Sequence, residues 1–282
     1  MTSPDLLEKL AAYVPEPVVR AIYRQPHPLT EPIARRFAAA VLFSDISGFT
    51  HLSELLSRAG PNGAEELTAL INRYFTKMIR IVQEHHGQVV KFSGDAMTVL
   101  FPAEDITLPG AVRRATECAL MMQQSMHELA YIETAQGSST LSMTVGIGAG
   151  EVLECSIGGL LGRWEYVVGG DPLAQVALAE RNTQPSEIRL SPQAWATVKN
   201  FFNGTVGDDG FVKIEKATQW LPKSPPAKLD WGQLSWEDRL QAEQALQCYI
   251  PGAIKARLDK QSEWLAELRR MTTLFIGIGG FD

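Results

Sequence analysis

Cysteine is scarce. Cys118, Cys155 and Cys248 are the three present, they are widely spaced, and no Cys-x-x-Cys pair occurs. An odd, scattered set gives no disulfide framework and reads as free thiols in a reducing compartment. Long apolar runs are also missing. No stretch of about 18 apolar residues occurs, so no membrane span is expected. The N-terminus, MTSPDLLEKL, is polar and acidic and lacks the apolar centre of a secretion signal. Basic blocks are absent too, and the formal net charge is −6. That balance argues against a general nucleic-acid or anionic-membrane surface. It leaves room for a small phosphorylated ligand, which needs only local positive groups. These absences bound a soluble cytoplasmic chain.

What is present is enough apolar material for a sizeable core. The hydrophobic fraction is 45% over 282 residues, which suits one large domain, or one domain and part of another. Residues 6–23 have helical spacing interrupted by Pro15 and Pro17, and read as two short helices. Residues 37–43 read as a buried strand, 50–57 as a short helix, and 61–86 as a long helix stopped by Gly87. A hairpin follows, 88–92 and 96–101, turning at Ser93-Gly94-Asp95. Residues 109–131 read as a helix. Two strand-like runs follow in 141–157, separated around Gly148 and Gly150, then a strand at 163–168, a helix at 171–181, a strand at 187–190 and a short helix from Ser191-Pro192. This order is α/β (α+β) with hairpins mixed among crossovers. Residues 220–236, rich in Pro, Lys and Trp, read as a linker. A helix is expected from Tyr249 and a strand at 271–278.

One repeat stands out. Tyr13-Val14-Pro15, closing an apolar helix, returns as Tyr249-Ile250-Pro251. The run Leu42-Phe43-Ser44-Asp45-Ile46-Ser47-Gly48-Phe49 returns as Leu274-Phe275-Ile276-Gly277-Ile278-Gly279-Gly280-Phe281. The chain therefore reads as one complete domain followed by the opening of a second, degenerate copy, and hence as a fragment of a longer protein. The expected division is an N-terminal helical segment at 1–36, a domain at 37–216, a linker at 217–248, and the second copy from 249 to 282. Gly277 stands in the second copy where Asp45 stands in the first.

Asp45 and Asp95 carry the chemistry. A lone Asp before Ser-Gly is ordinarily a turn residue or a helix cap, and Ser47 or Thr50 can cap the next helix in the same way. Two acids are different. Each follows or precedes an apolar run beside small residues, and the two strands can lie side by side. Two converging carboxylates repel unless a cation joins them, and a small set of hard oxygen ligands with room for water suits Mg²⁺. Ser47-Gly48-Phe49-Thr50 offers backbone N–H groups at a helix N-terminus, which suits phosphate oxygens. Metal plus phosphate points to a nucleotide.

FSDISGFT (43–50) and KFSGDAMTVLF (91–101) resemble the two metal-binding motifs of class III nucleotidyl cyclases, and GRWEYVVGGDPLAQ (162–175) resembles that family's late strand-to-helix segment. With a degenerate second copy, the combination is most similar to the first catalytic domain of the soluble, bicarbonate-responsive adenylyl cyclases. The resemblance implies a ferredoxin-like βαββαβ cyclase core with extra C-terminal strands and helices. It implies that Asp45, the Ile46 carbonyl and Asp95 hold two Mg²⁺ ions, for which Mn²⁺ can substitute. Ser47, Gly48, Phe49 and Thr50 would cradle the phosphates of ATP, which becomes cyclic AMP and pyrophosphate. A second cyclase domain, in cis or as a dimer, would complete the site.

The chain departs from the family's self-sufficient members. The Asn and Arg that orient the ribose and stabilise the transition state align with Ala174 and Leu178, and the purine-reading position with Val167. A basic position near the Gly-Ile-Gly strand aligns with Thr144. The resemblance thus implies a metal-binding half-site paired with a domain that supplies the missing half. Lys91 faces the other, degenerate site, where that group binds bicarbonate; a solvated hairpin lysine is the competing reading. Arg163 and Arg181 are further anion contacts in the first reading and plain surface in the second. Guanylyl cyclase, or a catalytically silent nucleotide-binding pseudo-cyclase, are the alternative functions.

Overall fold

The computed structural model describes residues 4–221, 229–252 and 254–255. The strand expected at 271–278, Gly277 included, lies outside them. Two short helices open the chain, α1 (Pro4–Ala11) and α2 (Glu16–Arg24). Then come β1 (Ile33–Ser47), α3 (Phe49–Ser57), α4 (Pro61–Glu84), β2 (Gln88–Ser93), β3 (Ala96–Pro102) and α5 (Leu108–Leu129). A small hairpin, β4 (Tyr131–Thr134) and β5 (Gly137–Thr140), precedes β6 (Ser142–Gly158) and β7 (Trp164–Gly169). The rest is α6 (Asp171–Arg181), β8 (Ile188–Leu190), α7 (Pro192–Val198), β9 (Phe202–Val206), β10 (Val212–Ala217) and α8 (Trp236–Tyr249).

The main sheet has the order β2-β3-β1-β6-β8-β10-β9, with β7 pairing beside the far end of β6. Its first four strands, β2-β3-β1-β6, are antiparallel throughout, and β3 lies between β1 and the strand that follows it in sequence. That is the expected split βαββαβ core. The extra strands β8, β10 and β9 extend it on the β6 side, and β6–β8 is parallel.

Alternation along β1 sends its side chains to two cores. Ala40, Leu42 and Ile46 pack with α3, α4 and α5 in the larger one. Ala39 and Val41 face the opposite side, with Val176 of α6 and, partly buried, Phe43. A third cluster joins Leu10, Val14 and Val18 of the N-terminal segment to Ala242 and Leu246 of α8 and to Ile250 just after it.

The structure corrects four readings. The first strand is longer than 37–43, because Arg35 and Arg36 at its exposed start are held by the cross-strand carboxylates Glu154 and Glu151. Residues 141–157 are one strand, in unbroken register with β1 from Ser142 to Ser156. Its glycines are not breaks but approach points for α6: a Cβ on Gly148 would lie 2.5 Å from the Pro172 carbonyl oxygen, and one on Gly146 3.1 Å from the Ala179 Cβ. The β4–β5 hairpin had no counterpart in the sequence reading. Finally, the span taken as linker contains α8, capped by Ser235, whose hydroxyl accepts from the Asp238 N–H at 3.1 Å. Its burial against α1 and α2, rather than any intrinsic amphipathic pattern, makes it a helix. At the end of the long helix, His85 is buried with Nδ1 2.8 Å from the Ile81 carbonyl oxygen, and His86 adopts a φ of 61°.

Candidate active site

The sheet register brings the two acids to one edge. Ser44 of β1 sits opposite Met97 of β3, so Asp45 lies beside the β2–β3 turn that carries Asp95. Gly94 makes that turn with a φ of 67°. The alternation that buries Ile46 against α3 and α4 turns Asp45 to the other face, toward α6.

Electrostatics record the convergence. Burial holds the Asp45 carboxyl above its ordinary value, the negative charge of Asp95 raises it further, and Glu180 of α6 adds to the rise; a hydrogen bond from the Ile46 backbone opposes them. The buried Tyr74 phenol of α4 is pushed up by burial first, and then by Asp45 and Asp95. Its hydroxyl lies 3.6 Å from the Met143 sulfur. Neither Glu180 nor Tyr74 was among the expected site residues. Both occur at helical spacing among apolar neighbours, which reads as packing, and only the sheet brings them to the acids.

The segment after Asp45 is shaped for a close turn. Ser47 ends β1, Gly48 has a φ of 93°, and α3 begins at Phe49 with Thr50 in its first turn. A Cβ on Gly48 would meet the Thr140 carbonyl oxygen at 2.5 Å, so both backbone angle and space require glycine here. Among the described residues no group of three or more His, Cys, Asp or Glu side chains is placed to share an ion. The acid edge itself carries two carboxylates, Asp45 and Asp95.

Beside the acid edge, a groove of about 1440 Å³ opens over the β1–β3 face. Lys91 and Val167 both line it, as do Phe43 and Glu180. A register shift in β2 between Val89 and Lys91 re-aims the lysine. Arg163 and Arg181 are not in that lining; Arg163 pairs instead with Glu165 at 3.2 Å. On α6, Gln175 is buried and clamps the helix to β6, with Ala149 N–H donating to its Oε1 at 2.9 Å and its Nε2 donating to the Ala149 carbonyl at 3.1 Å. Ala174 and Leu178 are left exposed on the outward side of the helix, Leu178 by 49%, and Val167 of β7 is 45% exposed. Thr144 is buried opposite Asp45. No described helix is long and apolar enough to cross a membrane.

Comparison with known proteins bears on this arrangement. Residues 33–221 match the adenylate and guanylate cyclase catalytic domain. The chain is 24% identical over 294 residues to adenylate cyclase type 10 of Oryctolagus cuniculus; the match covers 96% of this chain and 18% of that protein, so the chain spans less than a fifth of its relative. The fold is similar to the adenylyl cyclase CyaB of P. aeruginosa, with a TM-score of 0.55, 23% identity, and coverage of 67% of this chain and 100% of that one. It is equally similar to the guanylyl cyclase domain of the RhoGC fusion protein of the fungus Blastocladiella emersonii, with a TM-score of 0.55, 20% identity, and coverage of 68% and 100%.

Proposed function

The chain belongs to the adenylate and guanylate cyclase catalytic domain family, and from that premise we propose that it supplies the metal-binding half of an adenylyl cyclase site that forms ATP into cyclic AMP and pyrophosphate. The observation that carries this reading is the meeting of Asp45 and Asp95 at one sheet edge, where burial and then the negative charge of Asp95 disfavour charge on Asp45. That mutual repulsion fits a divalent cation, and two carboxylates with one carbonyl fit the hard, partly hydrated coordination of Mg²⁺ or Mn²⁺. Asp45, Asp95 and the Ile46 carbonyl would hold two ions. Bound metal of this kind makes a ribose 3′-hydroxyl more acidic and neutralises triphosphate charge. Ser47 to Thr50 would present backbone N–H groups at the α3 N-terminus to phosphate oxygens.

The exposed face of α6 supports the second part of the reading. Ala174 and Leu178 are open to a partner but carry no group that can orient a ribose or meet developing charge. A second cyclase domain would bring the Asn and Arg and complete one working site. Purine choice falls to that partner, since Val167 offers no side-chain hydrogen bond; the similarity to adenylate cyclase type 10 favours ATP over GTP. In the groove over the β1–β3 face, Lys91 is the cation of the lining, and we assign it to a small anion such as bicarbonate.

Isothermal titration of Mn²⁺ and ATP analogue into the wild-type chain and into Asp45→Ala and Asp95→Ala tests the half-site. Binding to wild type alone is expected. Equal binding to all three would overturn the assignment.

A further inference from the structure

The acid edge has an apolar neighbour that the cyclase reading does not use. A cavity of about 190 Å³ lies on the α3–α4 side of the sheet, lined by Ile46, Phe49, Leu70, Phe75, Leu129 and Leu141. Tyr74 and Asp95 also reach its wall, and Arg73 is its other charged residue. The surrounding core is otherwise close-packed, with Leu52, Leu56, Met78, Met97 and Met122 almost wholly buried. The pocket opens to solvent, so water meets its apolar walls unless a better-matched guest displaces it. Apolar cavities of about 150 Å³ are large enough to take a benzene ring.

The walls also state what shape would fit. Phe49, Tyr74 and Phe75 are ring-bearing, and Tyr74 and Phe75 already meet edge to face at 5.0 Å, as Phe75 and Phe92 do at 4.9 Å. A flat aromatic guest would find ring edges and faces at the separations such pairs prefer. We propose that this cavity is a binding site for a small, flat, mainly apolar molecule of one aromatic ring with short substituents, and that filling it stiffens the edge carrying the two acids. The coupling follows from shared residues. Ile46 adjoins Asp45, Phe49 begins α3, and Asp95 is itself in the wall. A guest touching all three fixes the spacing between the α3 N-terminus and the β2–β3 turn. This second clause rests on the metal reading of Asp45 and Asp95; the binding site does not.

Toluene is the probe, followed by methyl NMR and thermal unfolding of the whole chain. Saturable shifts are expected at the methyls of Leu52, Leu70, Leu129 and Leu141. At ten times Kd, Tm should rise by about 3–6 °C. Leu70→Trp and Leu129→Phe each fill the space, and folded protein of either kind should lose both effects. Asp45→Asn should keep them, because Asp45 is not in the wall. No saturable shift in the wild type, or undiminished binding in both filled variants, overturns the site. Mn²⁺ affinity read by electron paramagnetic resonance, with and without toluene, should change by about fivefold. An unchanged Mn²⁺ affinity overturns the coupling. Absence of Mn²⁺ binding with the toluene shifts intact would sink the metal reading and leave the cavity standing.

Discussion

The acid edge and the outward face of α6 lie on the same side of one sheet and are built in opposite ways. At the edge every feature converges: two carboxylates, a glycine turn that admits no side chain, and a helix start. On α6 the backbone is held as firmly, by Gln175 on both polar groups of Ala149, yet the exposed positions are Ala174 and Leu178. On the proposed function, the scaffold presenting inert side chains would serve as a docking face and the one presenting unbalanced charge as a binding site. The contrast is then that of a domain that would keep the half of the chemistry that binds and lack the half that stabilises a transition state.

The largest effect expected from breaking the contrast is at the acids. In a paired, active assembly, Asp45→Ala or Asp95→Ala should lower cyclic AMP formation by at least about 10²–10³-fold. A loss under threefold for either would mean that the two do not share an ion. The second test erases the contrast from the other side. Ala174→Asn with Leu178→Arg should give the chain activity of its own as a homodimer, at least about tenfold above the unmodified chain in the same assay. No gain from the folded double variant would place the missing groups elsewhere.

Smaller effects sharpen the picture of the edge itself. Gly48→Ala should destabilise by about 1–3 kcal/mol, from a strained φ and a clash with the Thr140 carbonyl. Chemical denaturation reads it directly. The smallest effect is in pH. Asp45 has a raised folded-state pKa, so between the ordinary carboxylate value and that raised value the folded state holds more protons than the unfolded one. Metal-free stability should therefore fall as pH rises through that window, by less than about 1 kcal/mol for a half-exposed group. Asp45→Asn should flatten the dependence, as should added Mg²⁺. A metal-free protein whose stability rises across the same window would contradict the repulsion.

Much of this was legible in residues. The continuous apolar run over residues 38–43 and the paired acids near small residues led to β1, the β2–β3 hairpin and the edge they form. Three things were hidden, each for a physical reason. Gly146 and Gly148 carry the usual mark of a break, but their role is to let α6 approach β6, and only a tertiary neighbour can show that. The shift in β2 that points Lys91 into the groove depends on a partner strand. The helix α8 has no strong amphipathic pattern of its own and forms because α1 and α2 cover it. Glu180 and Tyr74 were missed on the same ground, since their nearness to the acids is made by the sheet.

The most direct test of a half-site is an assay of cyclic AMP formed from ATP with Mn²⁺. It would compare this chain alone with this chain mixed with a cyclase domain that carries Asn and Arg at the positions matching Ala174 and Leu178. Activity in the mixture only, abolished by Asp45→Ala, is the predicted result. Comparable activity from the chain alone would contradict the account, because Ala174 and Leu178 would then not mark a missing half.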